Sequence, residues 1–183
     1  MKILVRAVPS ERLECVKYIK DKIPQAELFY DTARDAMDTF LRALQYVKDD
    51  AAIHMEEDIF VTRDMMAKID HAIKQRPNTV LQFFSMRQAD LTIGSRYDNN
   101  FCMAQCFYLP PGYSRMIFEY YSLWPRKNTT PTALDYLVND YLRMRKEKYW
   151  IHVPSLVQHR SIKSIINPTR SSKRQSLTFT DPA

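Results

Sequence analysis

The stretch that decides the fold is Ile53-His54-Met55-Glu56-Glu57-Asp58-Ile59-Phe60-Val61, in which three consecutive acids stand inside an apolar run. The apolar and β-branched residues predict a strand over 51–60, with the acids at its end. Carboxylates crowded at a strand end repel one another and resist removal from water, so a cation or a set of donors should compensate them. Hard oxygen ligands suit Mg²⁺ or Mn²⁺. The alternative is a solvated turn in which the acids face water.

Strand-like and helix-like segments alternate on both sides of this run. The other predicted strands span 2–8, 26–30, 79–86, 100–109 and 151–157. The predicted helices span 11–22, 33–47, 62–74, 113–124 and 132–146. This alternation indicates an α/β fold, with a mostly parallel central sheet flanked by helices. A length of 183 residues suits a single domain with a sizeable core.

The ends of the predicted strands mark the expected binding site. In open α/β sheets, ligands bind beyond the carboxyl ends of the strands. The candidate segments are therefore 6–10, 31–35 and 56–58, and their candidate nucleotide contacts are Arg6, Asp31 and Arg34. Alternation along the third strand places Glu57 on the face opposite to Glu56 and Asp58.

The composition excludes several common classes of protein. Only two glycines occur, Gly94 and Gly112, so no glycine-rich loop for a nucleoside triphosphate or a dinucleotide can form. No apolar run reaches the roughly 20 residues of a membrane helix, and 1–9 is too short and strand-like for a signal peptide, so no membrane insertion is expected. Three cysteines make neither a disulfide framework nor a zinc site. The expected location is a reducing cytoplasm, which would be the host's if the chain is viral.

The chain carries a formal net charge of +6, with much of the excess after residue 140. Such a surface favours a polyanionic partner, whether a diphosphate, a nucleic acid or an acidic lipid. We therefore divide the chain into a catalytic domain, 1–159, and a basic tail, 160–183, that can act as a lid. Three cations of this tail are candidates to hold a diphosphate: Arg170, Lys173 and Arg174. The alternative is a basic tail that is simply solvated.

The chain resembles glycosyltransferases of the GT-A type, which have a single Rossmann-like domain. Met55-Glu56-Glu57-Asp58-Ile59 is similar to the acidic motif, a variant of Asp-x-Asp, that ends a strand in that family. The resemblance covers roughly residues 2–179. Its further segments keep the family's order, and they are Asp31–Asp35 with Phe40–Leu44, Ala104–Pro110, Asp135 with Tyr141-Leu142, and Val153–His159.

The resemblance implies a nucleotide-sugar donor and a divalent metal ion, Mn²⁺ or Mg²⁺. Asp58 would be the direct metal ligand, supported by Glu56 or Glu57, and the late His159 would complete the metal shell. Glu57 takes the middle position of the motif, which implies a contact with the ribose or the sugar. Asp31 would meet the nucleotide base.

Two of these residues also carry expectations from their own chemistry. A neutral imidazole at His159 can bind a metal ion, although a surface histidine near a turn is the alternative. Asp135 lies near a predicted helix start, where the helix dipole favours the ionised carboxylate that can deprotonate an acceptor hydroxyl. An inverting glycosyltransferase would follow. The alternative for Asp135 is an ordinary acid of a first helical turn.

The acceptor and two other functions stay open from the sequence. A saccharide and a nucleic acid, such as a modified base in phage DNA, both suit a small basic enzyme as acceptor. A non-enzymatic nucleic-acid-binding accessory protein would explain the charge, but it leaves the three acids without a role. A metal-dependent nucleotidyltransferase on a similar sheet is the other alternative.

Overall fold

The computed structural model describes residues 1–8, 11–127, 133–165 and 174–183. Within these ranges the chain forms nine strands: β1 Lys2–Ala7, β2 Glu27–Tyr30, β3 Ala52–Glu56, β4 Ile59–Val61, β5 Leu81–Gln82, β6 Arg96–Asp98, β7 Cys106–Leu109, β8 Tyr149–Ile151 and β9 Val157–His159. The same ranges contain six helices: α1 Leu13–Lys22, α2 Ala36–Val47, α3 Met65–Gln75, α4 Asp90–Ile93, α5 Tyr113–Tyr121 and α6 Leu134–Met144.

Seven strands form the central sheet, in the order β2-β1-β3-β7-β5-β8-β6. Parallel pairing joins β1 to β2, β1 to β3 and β5 to β8, while β7 and β6 run antiparallel to their neighbours. Five of the seven strands therefore point the same way. The prediction of a Rossmann-like α/β domain with a mostly parallel sheet is confirmed. The remaining two strands, β4 and β9, pair with each other in a separate small sheet.

The two faces of the sheet are covered by different helices because side chains alternate along each strand. Ile53 and Met55 of β3 lie in a cluster with residues of α1 and α3, such as Ile19 and Ile69. On the other face, α2, α5 and α6 pack together around β7, as in the contact of Phe40 with Phe107. The fold is thus a sheet between two helical layers, and its loops at the strand ends remain available for a site.

The acidic run is not one strand, so the prediction of a strand over 51–60 is wrong. The chain leaves the central sheet after Glu56 and enters the small sheet at Ile59. In between, Glu57 N–H donates to the carbonyl of Arg6, and the carbonyl of Asp58 accepts from Arg160 N–H. These bonds turn the chain at the carboxyl end of β3. Glu57 and Asp58 consequently no longer follow the strand alternation that separated their side chains.

Other strand predictions were too long because local composition does not determine pairing. Of 79–86, only Leu81–Gln82 forms a ladder, although Phe83 and Phe84 are fully buried. Of 100–109, only Cys106–Leu109 is a strand, and it runs antiparallel to both neighbours. The expected strand 151–157 is replaced by β8, a bend with a cis Val153-Pro154 bond, and β9.

The final residues of the basic tail pack on the small sheet. Thr62 forms a bridge with Pro182, and the N–H of Ala183 donates to the carbonyl of Val61 at 3.0 Å. Gln158 on β9 exchanges two hydrogen bonds with Ser176. The described end of the tail is therefore joined to the domain. No helix in the described ranges has the length and apolar character to cross a membrane.

Candidate functional site

A cavity of about 460 Å³ lies at the carboxyl ends of β1, β2 and β3. This volume falls in the range of small-molecule sites, which is about 300–1,000 Å³. Its walls contain most of the residues that the strand-end rule selects: Arg6, Asp31, Glu56, Glu57 and Asp58. The position of this cavity thus follows from the order of strands and helices alone.

Arg12, just before α1, binds the acidic run directly. Its Nη1 lies 3.1 Å from Glu57 Oε1 and 2.5 Å from Asp58 Oδ2. Its Nη2 donates to the carbonyl of Lys163 at 2.8 Å. All three side chains of this ion pair are at most 9% exposed, so water screens the interaction little.

A second basic pair meets the same carboxylate from β9 and the tail. His159 is fully buried, and its Nε2 lies 3.2 Å from Asp58 Oδ2. Arg174 Nη2 lies 2.5 Å from the same nitrogen. His159 Nε2 can donate to the carboxylate of Asp58 or accept from the guanidinium of Arg174, but it cannot do both at once. Only one of these two contacts can therefore be a hydrogen bond at a time.

Burial and close mutual contact shift the pKa values of the three acids in different directions. Burial, followed by the charge of Asp58, raises the pKa of Glu57 to about 7. Burial and Asp58 likewise raise the pKa of Glu56. Burial alone would also raise the pKa of Asp58, but the contacts with His159 and Arg12 outweigh it and hold that pKa below its ordinary value. Asp58 is consequently the most persistent anion of the run.

The ends of β1 and β2 bring Arg6 and Asp31 to the floor of the cavity. Arg6 is 5% exposed, and its Nη2 donates to the carbonyl of Ala104 at 3.0 Å. Its Nη1 is buried and meets no hydrogen-bond partner among the described residues. Asp31 Oδ1 accepts from the N–H of Asp35, which itself caps α2, whereas Asp31 Oδ2 has no described partner. One donor and one acceptor beside the cavity thus have no hydrogen-bond partner among the described residues.

Asp135 lies in the first turn of α6. Its carboxylate accepts from the N–H of Tyr136 at 3.1 Å and from the N–H of Met103 at 3.4 Å. Both Asp135 and Tyr136 line the same cavity as the acidic run. Two backbone donors therefore orient a carboxylate in the lining of this cavity.

The tail contributes to this cavity as well. Ser164, Ile165 and Arg174 are among its lining residues. Together with the bond from Arg12 to the carbonyl of Lys163, they place described parts of the tail beside the acids. The lid itself stays a prediction, and Arg170 and Lys173 lie outside the described residues.

Among the described candidate residues, Arg34 and the fully buried His159 do not line the cavity. Arg34 points elsewhere. Its guanidinium is 63% exposed and pairs with Glu11 at 2.6 Å. The segment 31–35 does reach the site, but through Asp31. A positive φ of 57° at Arg34 turns the chain between Asp31 and the start of α2.

The side chains present suit a divalent metal ion in their chemistry. Carboxylate oxygens of Glu56 and Asp58 and the imidazole of His159 are ordinary ligands of Mn²⁺, and Asp58 Oδ1 is buried with no described partner. Within the described ranges, however, no three acidic, histidine or cysteine side chains converge closely enough to hold an ion. Asp58 Oδ2 is instead in contact with Arg12 and His159, and His159 Nε2 is in contact with Arg174.

The fold is similar to that of UDP-glucose pyrophosphorylase. The enzyme from Acinetobacter baumanii matches with a TM-score of 0.52 and 8% identity, over 87% of this chain and 72% of that one. The structure of UDP-glucose pyrophosphorylase complexed with UDP-glucose matches with a TM-score of 0.50 and 8% identity, over 82% of this chain and 72% of the other. At such low identity the likeness concerns the fold alone.

A197 from STIV has a similar fold too. It matches with a TM-score of 0.50 and 14% identity, over 86% of this chain and 84% of A197. No protein-family model matches the sequence, and no curated protein matches it significantly. The chain therefore shares a Rossmann-like fold with a nucleotide-sugar enzyme, and the narrower GT-A type remains an expectation.

Arg12 lines the cavity and contacts the acidic run, but the sequence analysis does not name it as a candidate. The strand-end rule selects 6–10, and the predicted helix over 11–22 includes Arg12. Because α1 begins at Leu13, Arg12 belongs to the connection at the strand end. Extending the strand-end rule to the first residues before the helix would have included it.

Proposed function

We propose that this chain is a divalent-metal-dependent glycosyltransferase that moves a sugar from a nucleotide-sugar to an acceptor hydroxyl. One observation carries the proposal. The acids Glu56 and Asp58 and the carboxylate of Asp135 line one cavity at the strand ends. Such a cavity would offer groups for the donor's diphosphate together with a general base.

The arginines, Asp31 and the acids have separate roles in the proposed reaction. The guanidinium groups of Arg6, Arg12 and Arg174 bring positive charge to the diphosphate leaving group. Asp31 Oδ2 accepts a hydrogen bond from the nucleotide base. The described side chains of Glu56, Asp58 and His159 do not converge on one point, so they would have to move together to hold a metal ion that acts as a Lewis acid on the diphosphate.

Asp135 is the proposed catalytic base. It takes the proton from the acceptor hydroxyl while the oxygen attacks the anomeric carbon of the sugar. The bond from the sugar to the diphosphate breaks on the far side, so the configuration at that carbon inverts. The backbone bonds from Met103 and Tyr136 hold the carboxylate in one direction for this task.

A metal-dependent nucleotidyltransferase is the second candidate, and the likeness to UDP-glucose pyrophosphorylase favours it. That reaction requires a site for a nucleoside triphosphate, for which glycine-rich loops are the common solution because their N–H groups approach the phosphates closely. The only two glycines, Gly94 and Gly112, do not line the cavity. Asp135 also has no evident task in such a transfer. Both points favour sugar transfer.

Thermal melting with a panel of nucleotide-sugars and nucleoside diphosphates, each with Mn²⁺ or with chelator, tests the proposal. A ligand near 100 times its dissociation constant should raise the midpoint by about 5–10 °C, and only with the metal. Asp58→Asn should lose this shift, whereas Asp21→Asn, on the exposed side of α1, should keep it. Asp135→Asn should also keep the shift, but lose turnover.

Product analysis then separates the two transferases. The proposed reaction consumes a nucleotide-sugar and releases a nucleoside diphosphate. A nucleotidyltransferase instead releases pyrophosphate from a nucleoside triphosphate and a sugar phosphate. The absence of any metal-dependent shift in the wild-type chain would refute both.

A further inference from the structure

The central sheet has an open edge at β6. This strand is the last of the sheet, and within the described ranges no strand pairs with its outer side. On its inner side, the register with β8 places Tyr97 opposite Trp150. Trp150 N–H donates to the carbonyl of Val80 on the far side of β8, so Tyr97 and Trp150 do not hydrogen-bond each other. The N–H and the carbonyl of Tyr97 therefore point outward, and no described residue bonds to either group.

Exposed apolar side chains are concentrated beside this edge. Twelve large apolar side chains are exposed among the described residues, and three of them lie within seven positions of one another: Leu91, Ile93 and Tyr97. Leu91 and Ile93 belong to α4, the single turn that leads into β6. Apolar side chains grouped beside an unpaired strand indicate a surface that pairs with another chain.

The charges of this edge cancel one another. Residues 87–98 contain two arginines and two aspartates and no other charged group. Arg87 and Arg96 both contact Asp98, and Arg96 also contacts Asp90. A polyanion would gain no net attraction at such a neutral surface. Two copies of the chain, which repel each other through their net charge of +6, can approach there.

Strand β6 is complementary to itself in the antiparallel direction. Its sequence is Arg96-Tyr97-Asp98, so a two-fold axis through Tyr97 places Arg96 of each copy opposite Asp98 of the other. Opposite charges directly across an antiparallel pair stabilise it, whereas a parallel pair in register would bring like charges together. The outward N–H and carbonyl groups of the two Tyr97 residues would exchange two hydrogen bonds.

We propose that β6 is the interface of a symmetric homodimer, in which two copies pair antiparallel about Tyr97 and their central sheets become one. Burial of Leu91 and Ile93 against the second copy supplies the apolar part of this interface. Three strands separate β6 from β3, at whose end the acids of the cavity lie. The interface is therefore independent of the proposed function.

Sedimentation equilibrium of the full chain tests the dimer. At about 50 µM the wild type should have twice the chain mass of 21.7 kDa. Ile93→Asp places a charge in the apolar part of the interface, so its dissociation constant should rise at least about tenfold. Leu123→Asp is the matched control, because Leu123 is also exposed but follows α5. It should leave the dimer unchanged.

A comparison of Tyr97→Pro with Tyr97→Val tests the backbone pairing. Proline removes an outward N–H, which an edge strand tolerates, so the monomer should still fold. Both variants lose the ring of Tyr97, but Tyr97→Val keeps the N–H. It should therefore dimerise at least about tenfold more tightly than Tyr97→Pro.

Cross-linking with Tyr97→Cys tests the register. The two-fold axis places the two Cα atoms at position 97 about 5.5 Å apart, within the range of a disulfide. Mild oxidation should therefore give a covalent dimer on a non-reducing gel. Asn99→Cys lies about 14 Å from its counterpart in the same register and should give none. The wild type, with its three free cysteines, is the blank.

A wild type that stays monomeric at about 200 µM would overturn the proposed dimer. A dimer that is equally stable in Ile93→Asp and Tyr97→Pro would also do so, because its interface would lie elsewhere. Cross-linking at position 99 and not at 97 would exclude the antiparallel register. None of these measurements needs a nucleotide or a metal ion, so failure of the dimer is distinguishable from failure of the proposed function.

Discussion

At the scale of single residues, His54 is the most unusual buried group outside the cavity lining. Its ring is fully buried, stacked at 5.2 Å on Phe107, and neither ring nitrogen has a hydrogen-bond partner among the described residues. Burial, and then the charge of Arg6, lowers the pKa of His54 well below its ordinary value. The folded protein therefore keeps this imidazole neutral in mild acid.

The pKa of His54 predicts a pH dependence of stability. Below an unfolded pKa of about 6.5, unfolding allows His54 to take up a proton, so the free energy of unfolding falls as the pH falls. Between pH 7.5 and 5.5, the wild type should lose about 1.4 kcal/mol that His54→Leu does not lose. Urea unfolding at both pH values measures the difference.

His71→Leu is the control for this prediction, since it removes an exposed imidazole on α3. It should retain the wild-type loss of stability in acid. If the free energy of unfolding fell equally in the wild type and in His54→Leu between pH 7.5 and 5.5, the buried ring would not be the cause of the loss.

At the scale of elements, the tail is joined to the domain through a buried hydroxyl cluster. Ser155 lies between β8 and β9, and its Oγ accepts from the N–H of Ser85 at 3.0 Å. The hydroxyl of Ser176 donates to the same oxygen at 2.8 Å. Ser155 thus connects the segment after β5 with the last residues of the chain.

Ser155→Ala should lower the free energy of unfolding by about 1–3 kcal/mol, because it leaves the buried N–H of Ser85 without an acceptor. Urea unfolding measures this cost. Ser122→Ala, at an exposed hydroxyl after α5, should cost less than about 0.5 kcal/mol. In a double-mutant cycle, Ser155→Ala and Ser176→Ala should be less than additive. Strict additivity would mean that the two hydroxyls do not act together.

The limits of some strands and helices can be predicted from the sequence, and those of others cannot. Strand β2 and helix α2 lie within three residues of their predicted limits, because local apolar runs define them. The start of α2 was predicted three residues too early, since Asp35 caps the helix. Strand β6 was missed because Arg96-Tyr97-Asp98 has no apolar pattern. It pairs with β8, which is distant in the sequence, and the nearby ion pairs of Arg96 and Arg87 with Asp98 support it at the sheet edge.

At the scale of the whole molecule, the predicted site is assembled from segments that are far apart in the sequence. The strand-end rule identified Arg6, Asp31 and the acids, since it needs only the order of strands and helices. It could not identify Arg12 as their partner, because that contact depends on the break between β3 and β4. Nor could it show that Asp135 lines the same cavity as the acids, which depends on how α6 packs against the sheet.

The net positive charge of the molecule bears on which class of acceptor it binds. The guanidinium of Arg126 lies 5.2 Å from the ring centre of Tyr136, which lines the cavity. The Arg126 side chain contacts Asp140 at 3.2 Å and is 48% exposed. A nucleic-acid acceptor that reaches Asp135 would bring phosphates past this side chain, whereas a neutral saccharide would not.

Salt should therefore separate the two acceptor classes. Binding that neutralises phosphates weakens steeply with ionic strength because condensed counterions are released. Between about 50 and 200 mM salt, kcat/KM for a nucleic-acid acceptor should fall by about tenfold or more, and Arg126→Ala should reduce the steepness of that fall. For a neutral saccharide it should change by less than about twofold, because no phosphate contacts are lost. Initial rates at saturating donor measure both. If an oligonucleotide is a substrate and its kcat/KM does not depend on salt, the acceptor does not bind through the basic surface of this molecule.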